Sequence, residues 1–285
     1  MDKRITLVFT IVLLIFFTFS TNGFSQNQIE KSKKEIVKGS LKNDHIRSKQ
    51  NHSSSSHFVH DGSFESMIIS GIMQGFLFVT YYAVIGNYSA ENHLYNNLSN
   101  YPYCDKSISG NYESANTDPP SGKIFRVDLA DQFLYNNESL YGNHLKFKIR
   151  PFQYFYLQAD YFRLTEKNRT FNEYSDLSLF NFNLCYDRIR LEKFNMGWTL
   201  GCNYIGSDVM KAGFSYGLNT ELFVTKNFSL NGSAKWSLIN QAHVNEFEFQ
   251  GKYHLKRCFL SLGYEHLIIG APTYDFISMG GGIYL

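Results

Sequence analysis

The sequence predicts an all-β protein. It is a closed antiparallel up-and-down transmembrane β-barrel of about ten strands, with eight as the alternative count, behind a helical and irregular N-terminal extension. Three observations carry this reading. From residue 123 to the C-terminus, apolar and polar residues alternate with period two. The alternating segments are mostly 9–14 residues long, beyond the ~5–6 of an ordinary strand and near the length that a tilted membrane-crossing strand needs. Aromatics make up 17% of the 285 residues and charged residues only 18%, against about 25% charged in a typical soluble domain.

The elements follow in chain order. Residues 1–25 read as a signal peptide. Lys3 and Arg4 precede an uncharged apolar run from Ile5 to Phe19, and Gly23 and Ser25 are small residues at the −3 and −1 positions of a cleavage site before Gln26. The run is too short for a spanning helix, which needs ~20 residues. Residues 26–62 are polar and basic with almost no apolar periodicity, and read as a disordered linker. His45, His52, His57 and His60 in it lack acidic or Cys companions at ligand spacing, so they do not specify a metal site. Residues 63–122 read as an apolar helix followed by an irregular loop. The stretch 66–90 carries no charge, contains Gly71 and Gly75 at GxxxG spacing and is long enough to cross a bilayer. It is open to three placements: packed on or inside the following domain, lying on a membrane surface, or crossing the membrane. Asp118-Pro119-Pro120-Ser121-Gly122 breaks the chain before the barrel.

Residues 123–285 divide into ten segments, about 124–134, 143–150, 153–164, 176–189, 195–205, 211–225, 227–239, 244–255, 257–268 and 274–285. In 244–255, Phe247, Phe249, Tyr253 and Leu255 alternate with Glu246, Glu248, Gln250, Lys252 and His254. A sheet facing hydrocarbon must close, because an open edge leaves backbone groups unpaired in lipid. The apolar face then meets lipid. Arg126, Asp128, Lys146, Lys148, Asp160, Glu221, Lys235, Glu246, Glu248 and Lys252 line the inside, where both signs can pair and fill a small barrel. Connections alternate between short and longer, so short turns are expected on one rim and longer loops on the other. The even strand count puts both barrel ends on the short-turn rim.

Composition and motifs exclude several functions. A formal net charge of +2 gives no footprint for nucleic acid. Four cysteines do not make a disulfide scaffold. Cys185 and Cys202 fall on opposite faces of adjacent strands, so they are not expected to bridge. Nucleophile-elbow, P-loop, zinc-protease and dinucleotide fingerprints are absent from the sequence. His243, His254 and His266 fall near Ser261 and Glu265 on neighbouring strands, but no spacing fixes a catalytic pairing. No catalytic, cofactor or metal residues are assigned on this basis.

The last strand carries a polar residue, a glycine two residues on, and apolar residues five and seven on: Ser278, Gly280, Ile283 and the terminal Leu285. On this pattern and the strand alternation, residues 123–285 resemble the small monomeric β-barrels of Gram-negative outer membranes. That family ends on Phe or Trp where this chain has Leu. The resemblance implies a sorting signal at these four residues, export to the outer membrane, and contact with outer-membrane lipid and the barrel-assembly machinery. It also implies a monomer and a role as a structural, adhesive or narrow-channel barrel. It places 66–90 as a periplasmic or plugging helix, since a fully apolar helix would halt a precursor in the inner membrane. The competing readings are a soluble exported barrel that holds an apolar ligand, and a barrel hydrolase acting on lipids.

Overall fold

The computed structural model describes residues 27–46, 98–105, 108–113, 125–137, 139–151, 154–168, 173–190, 193–206 and 208–285. The stretch 1–25, read from the sequence as a signal peptide, and the charge-free 66–90 stretch lie outside the described residues. Helix α1 (Gln28–Ile46) comes first. Strands β1 (Leu98–Asp105) and β2 (Ile108–Glu113) form a separate two-stranded hairpin. Strands β3 (Arg126–Asn137), β4 (Leu140–Arg150), β5 (Phe155–Asn168), β6 (Glu173–Arg190), β7 (Phe194–Ile205), β8 (Lys211–Thr225), β9 (Phe228–Ile239), β10 (Ala242–Leu255), β11 (Cys258–Ile269) and β12 (Thr273–Tyr284) follow.

These ten strands pair antiparallel in sequence order, and β12 pairs with β3 to close the barrel. The ten-strand count is the sequence expectation realised, and each predicted segment overlaps one strand. Closure extends past the last strand residue. Leu285 and Val127 exchange both backbone hydrogen bonds, at 2.8 and 3.1 Å, so the terminal residue is part of the seam.

The rims differ from expectation. The connections between barrel strands run from two to five residues, and neither rim has consistently longer ones. The strands continue into stretches read as loops because backbone pairing continues after the apolar alternation fades. Around the β5–β6 end, Thr165 pairs with Asp176 and Asn168 with Glu173. The β3–β4 turn is closed by Asn137, whose Oδ1 accepts from the backbone of Ser139 at 2.8 Å and Leu140 at 3.0 Å. Asn240 and Gln241 both have positive φ, 50° and 69°, as a two-residue hairpin turn of the primed type requires.

Two further readings are corrected. The stretch expected as a disordered linker includes α1. Its buried residues are Ile29, Ser32, Lys33 and Ile36, spaced i, i+3, i+4 and i+7. Only two of the four are apolar, which is why the sequence shows no stripe. The stretch expected as an irregular loop includes the β1–β2 hairpin. Its register shifts between Leu98 and Tyr103, around Pro102, which has no backbone donor.

The alternation sorts the barrel wall as predicted. Phe133, Leu157, Phe182, Leu200, Phe214, Phe249, Leu262 and Met279 are exposed on the outside. Lys146, Asp160, Lys235, Glu246, Glu248 and Lys252 are buried within. Asp131, exposed midway along β3, places a charge in the apolar wall and accepts from Asn143 Nδ2 at 2.6 Å. The interior is layered. At the rim of the β3–β4, β5–β6, β7–β8, β9–β10 and β11–β12 connections, here the loop rim, the lumen is apolar. Leu134, Phe162, Leu164, Leu177, Leu179, Leu267, Tyr274 and Phe276 form one cluster there with Ile29 and Ile36 of α1. The opposite rim holds both barrel ends and the hairpin.

Candidate functional site: the occluded lumen

Helix α1 stops the loop rim. Glu166 accepts from the backbone of Gln28 at 3.0 Å and Ile29 at 2.8 Å, so a barrel carboxylate meets two of the free N–H groups at the helix start. Ser32 Oγ donates to the Ile269 carbonyl at 2.8 Å and lies 2.7 Å from the Tyr274 hydroxyl. Lys33 reaches Asp208 at 3.1 Å. Glu35 accepts from the Ala271 backbone at 2.6 Å, and Asn240 Nδ2 donates to the Ile36 carbonyl. A side chain at Gly39 would collide with the Asn240 backbone oxygen, so glycine permits the close approach.

Below this stopper lies a belt of acidic and basic side chains. Lys146 Nζ sits 2.6 and 2.5 Å from the two oxygens of Glu248. Lys235 Nζ bridges Asp160 at 2.6 Å and Glu246 at 3.0 Å. Asn181 donates to Glu246 at 2.7 Å, and Gln158 to Asp160 at 3.0 and 2.9 Å. His144 Nδ1 is 3.0 Å from Glu265, and its ring stacks on Phe162 with centroids 3.7 Å apart. These groups come from β4, β5, β6, β9, β10 and β11, so the belt ties opposite walls together.

The hairpin closes the other end. Arg126 donates to Asn111 at 2.6 Å and to the Ser99 carbonyl at 3.3 Å. Tyr112 donates to Asp187 at 2.7 Å, and Arg150 reaches the same carboxylate at 3.0 Å. Burial, with the adjacent Asp187 carboxylate, holds the Tyr112 phenol well above its ordinary range, so it stays a donor. Gly110, at φ 65°, lies against the Phe223 ring, where a side chain would clash. Between hairpin and belt is a cavity of about 40 Å³ lined by Lys146, Lys148, Arg150, Asn195, Glu221 and Lys252, among others. A water needs roughly 10–15 Å³ by the same measure, so this space suits a few waters and no passing solute.

The residues singled out from sequence do not converge on one centre. His243 is exposed on the outer wall. His266 lies near the loop rim, 2.6 Å from Asp275. His254 is buried near the hairpin, 2.8 Å from Ser229 Oγ and 3.1 Å from the Tyr284 hydroxyl. Ser261 is buried with no hydrogen bond to its hydroxyl among the described residues. Cys185 faces in and Cys202 faces out, and both are free thiols, as the alternation implies. Ser278 and Gly280 pair with β3 at Leu134 and Gln132, while Ile283 and Leu285 are exposed. His144 was missed. The run His144, Lys146, Lys148, Arg150 on one face of β4 was the available signal.

No protein-family model matches the sequence, and no curated protein matches it. Comparison with solved structures returns outer-membrane proteins. An outer membrane channel from Pseudomonas putida F1 is 8% identical, with 61% of this chain and 100% of that one covered and a TM-score of 0.34. The outer membrane protein OprG from Pseudomonas aeruginosa is 9% identical, over 57% and 96%, at 0.31. Ail, the attachment invasion locus protein of Yersinia pestis, is 10% identical, over 56% and 96%, at 0.27. The fold itself is a closed, ten-stranded antiparallel barrel with an apolar outer wall and a filled lumen, the build of a small outer-membrane barrel.

Proposed function

We propose that this chain is a sealed structural barrel of the outer membrane. It is exported by the segment 1–25, assembled as a monomer by the barrel-assembly machinery through Ser278, Gly280, Ile283 and Leu285, and surrounded by lipid. The observation that carries the reading is occlusion at three levels: α1 in one mouth, the Lys146–Glu248 and Asp160–Lys235–Glu246 pairs in the middle, and the β1–β2 hairpin at the other end. The apolar outer wall supports the membrane setting, and closure supports it further, since lipid cannot satisfy an open strand edge. Short connections on both rims favour a scaffold over an adhesin with long binding loops. The test combines fractionation with planar-bilayer recording. The intact protein is expected in the detergent-extractable outer membrane with small or no current steps, and to stay closed when residues 27–46 are deleted, because the ionic belt remains. Recovery from the periplasmic supernatant, or large stable steps in the intact protein, would refute the proposal.

One observation favours a second reading, a barrel that holds an apolar ligand. The loop-rim lumen is apolar where small barrels are ordinarily polar inside. Uptake of a fluorescent fatty acid by the helix-deleted protein, and not by the intact one, would support it.

A further inference from the structure

The central belt is unevenly charged. Asp160, Glu246, Glu248 and Glu265 supply four carboxylates, and Lys146 and Lys235 are the two lysines that ion-pair with them. The basic residues nearer the hairpin are otherwise engaged. Arg150 is on Asp187, Arg126 is on Asp128, Lys252 is on Asn231, and Lys148 lies 5.7 Å from the centre of the Tyr156 ring.

The imbalance has a focus. His144 and Glu265 are fully buried. With Nε2–H turned toward the Asp160 carboxylate 3.5 Å away, a neutral His144 points its Nδ1 lone pair at Glu265 Oε2, 3.0 Å away. Among the described residues Glu265 Oε1 has no hydrogen-bond partner. A buried imidazole lone pair facing a buried carboxylate is an unfavourable arrangement unless a cation lies between them. Ligand atoms of His144, Glu248 and Glu265 lie within 4.8 Å of one another, so a point between them is no more than about 2.8 Å from each. A contraction of several tenths of an ångström reaches the ~2.0–2.2 Å of zinc–nitrogen and zinc–oxygen bonds.

We propose that the lumen binds one divalent first-row metal ion between His144, Glu248 and Glu265. An imidazole with carboxylates suits zinc or its neighbours, and the absence of thiolate argues against a soft monovalent ion. With His144 neutral, the 2+ charge balances the two surplus carboxylates. Lys146 then shares Glu248 with the metal, and the ion becomes a cross-link between β4, β10 and β11.

Because the site is sealed, the test loads zinc during folding. The full chain is unfolded in urea, freed of metal, and refolded into detergent with and without one equivalent of Zn²⁺. About one zinc per chain is expected to survive dialysis against a metal buffer, with a higher urea midpoint for unfolding. His144→Gln and Glu265→Gln should each reduce retention at least tenfold while keeping the heat-modifiable gel mobility of a closed barrel. His243→Ala and His266→Ala should retain zinc. If both lumen variants misfold, X-ray absorption at the zinc edge of the wild type decides: nitrogen and oxygen neighbours with an imidazole signature support the site, and sulfur neighbours overturn it. No retention by the folded wild type would mean that a proton on His144 does the work, and would also overturn it. None of these outcomes depends on conductance or on cellular location.

Discussion

Lys235→Met is the sharpest probe of the filled lumen. Lys235 is fully buried and holds Asp160 at 2.6 Å and Glu246 at 3.0 Å. Methionine keeps most of the side-chain length and removes the charge. Two buried carboxylates are then left without their cation, and breaking a buried pair in this way costs about 3–5 kcal/mol. With a urea slope of roughly 2 kcal/mol per molar for a protein of modest size, the unfolding midpoint should fall by about 2 M. Refolded protein in detergent is titrated with urea and followed by the fluorescence of Trp198 and Trp236. The triple variant Lys235→Met, Asp160→Asn, Glu246→Gln removes all the charges and should recover most of the loss, because neutral groups of similar shape can replace a buried ion pair at little cost. Arg163→Ala is the control. Its pair with Asp176 is 3.3 Å long but largely exposed, and such pairs are worth about 0–1 kcal/mol. A drop below about 1 kcal/mol for Lys235→Met, or a triple variant no more stable than the single one, would refute the view that these charges hold the barrel shut.

Three other outcomes are expected. Phe249→Arg should sharply lower the yield of heat-modifiable barrel, since Phe249 is on the outer wall and Arg near the bilayer midplane costs roughly 2–4 kcal/mol; Phe249→Leu should assemble normally. Gly39→Ala should undock α1 without opening the barrel, seen as faster protease cleavage within 27–46 with an unchanged gel shift, because its side chain would meet the Asn240 carbonyl. Deleting Leu285 should slow assembly in cells and also lower the stability of refolded protein, since the residue makes two backbone hydrogen bonds to Val127 across the seam; a loss in cells with unchanged stability in vitro would assign it to sorting alone.

The sequence by itself determined the barrel. Period-two alternation is a local property, and it decides which side chains of one strand share a face. That Phe249 and Gln250, or Cys185 and Cys202, fall on opposite faces therefore follows from residue order alone. The alternation also pointed to about ten strands with eight left open, and closure of the sheet decided for ten. The sequence could not determine what the interior does, because that depends on residues more than a hundred positions apart meeting across the lumen. Lys146 with Glu248 and His144 with Glu265 are such pairs. Helix α1 shows the same limit at the secondary level. Two isoleucines, a serine and a lysine do not announce a buried face, and what buries them is the apolar loop-rim lumen made by many strands together. Strand ends were also decided late. Polar residues at Thr165–Asn168 look like loop, yet once the neighbouring strand is in register their backbone groups pair with it rather than with water. Local periodicity fixes orientation; only closure of the sheet decides which faces meet, and hence that this lumen is filled.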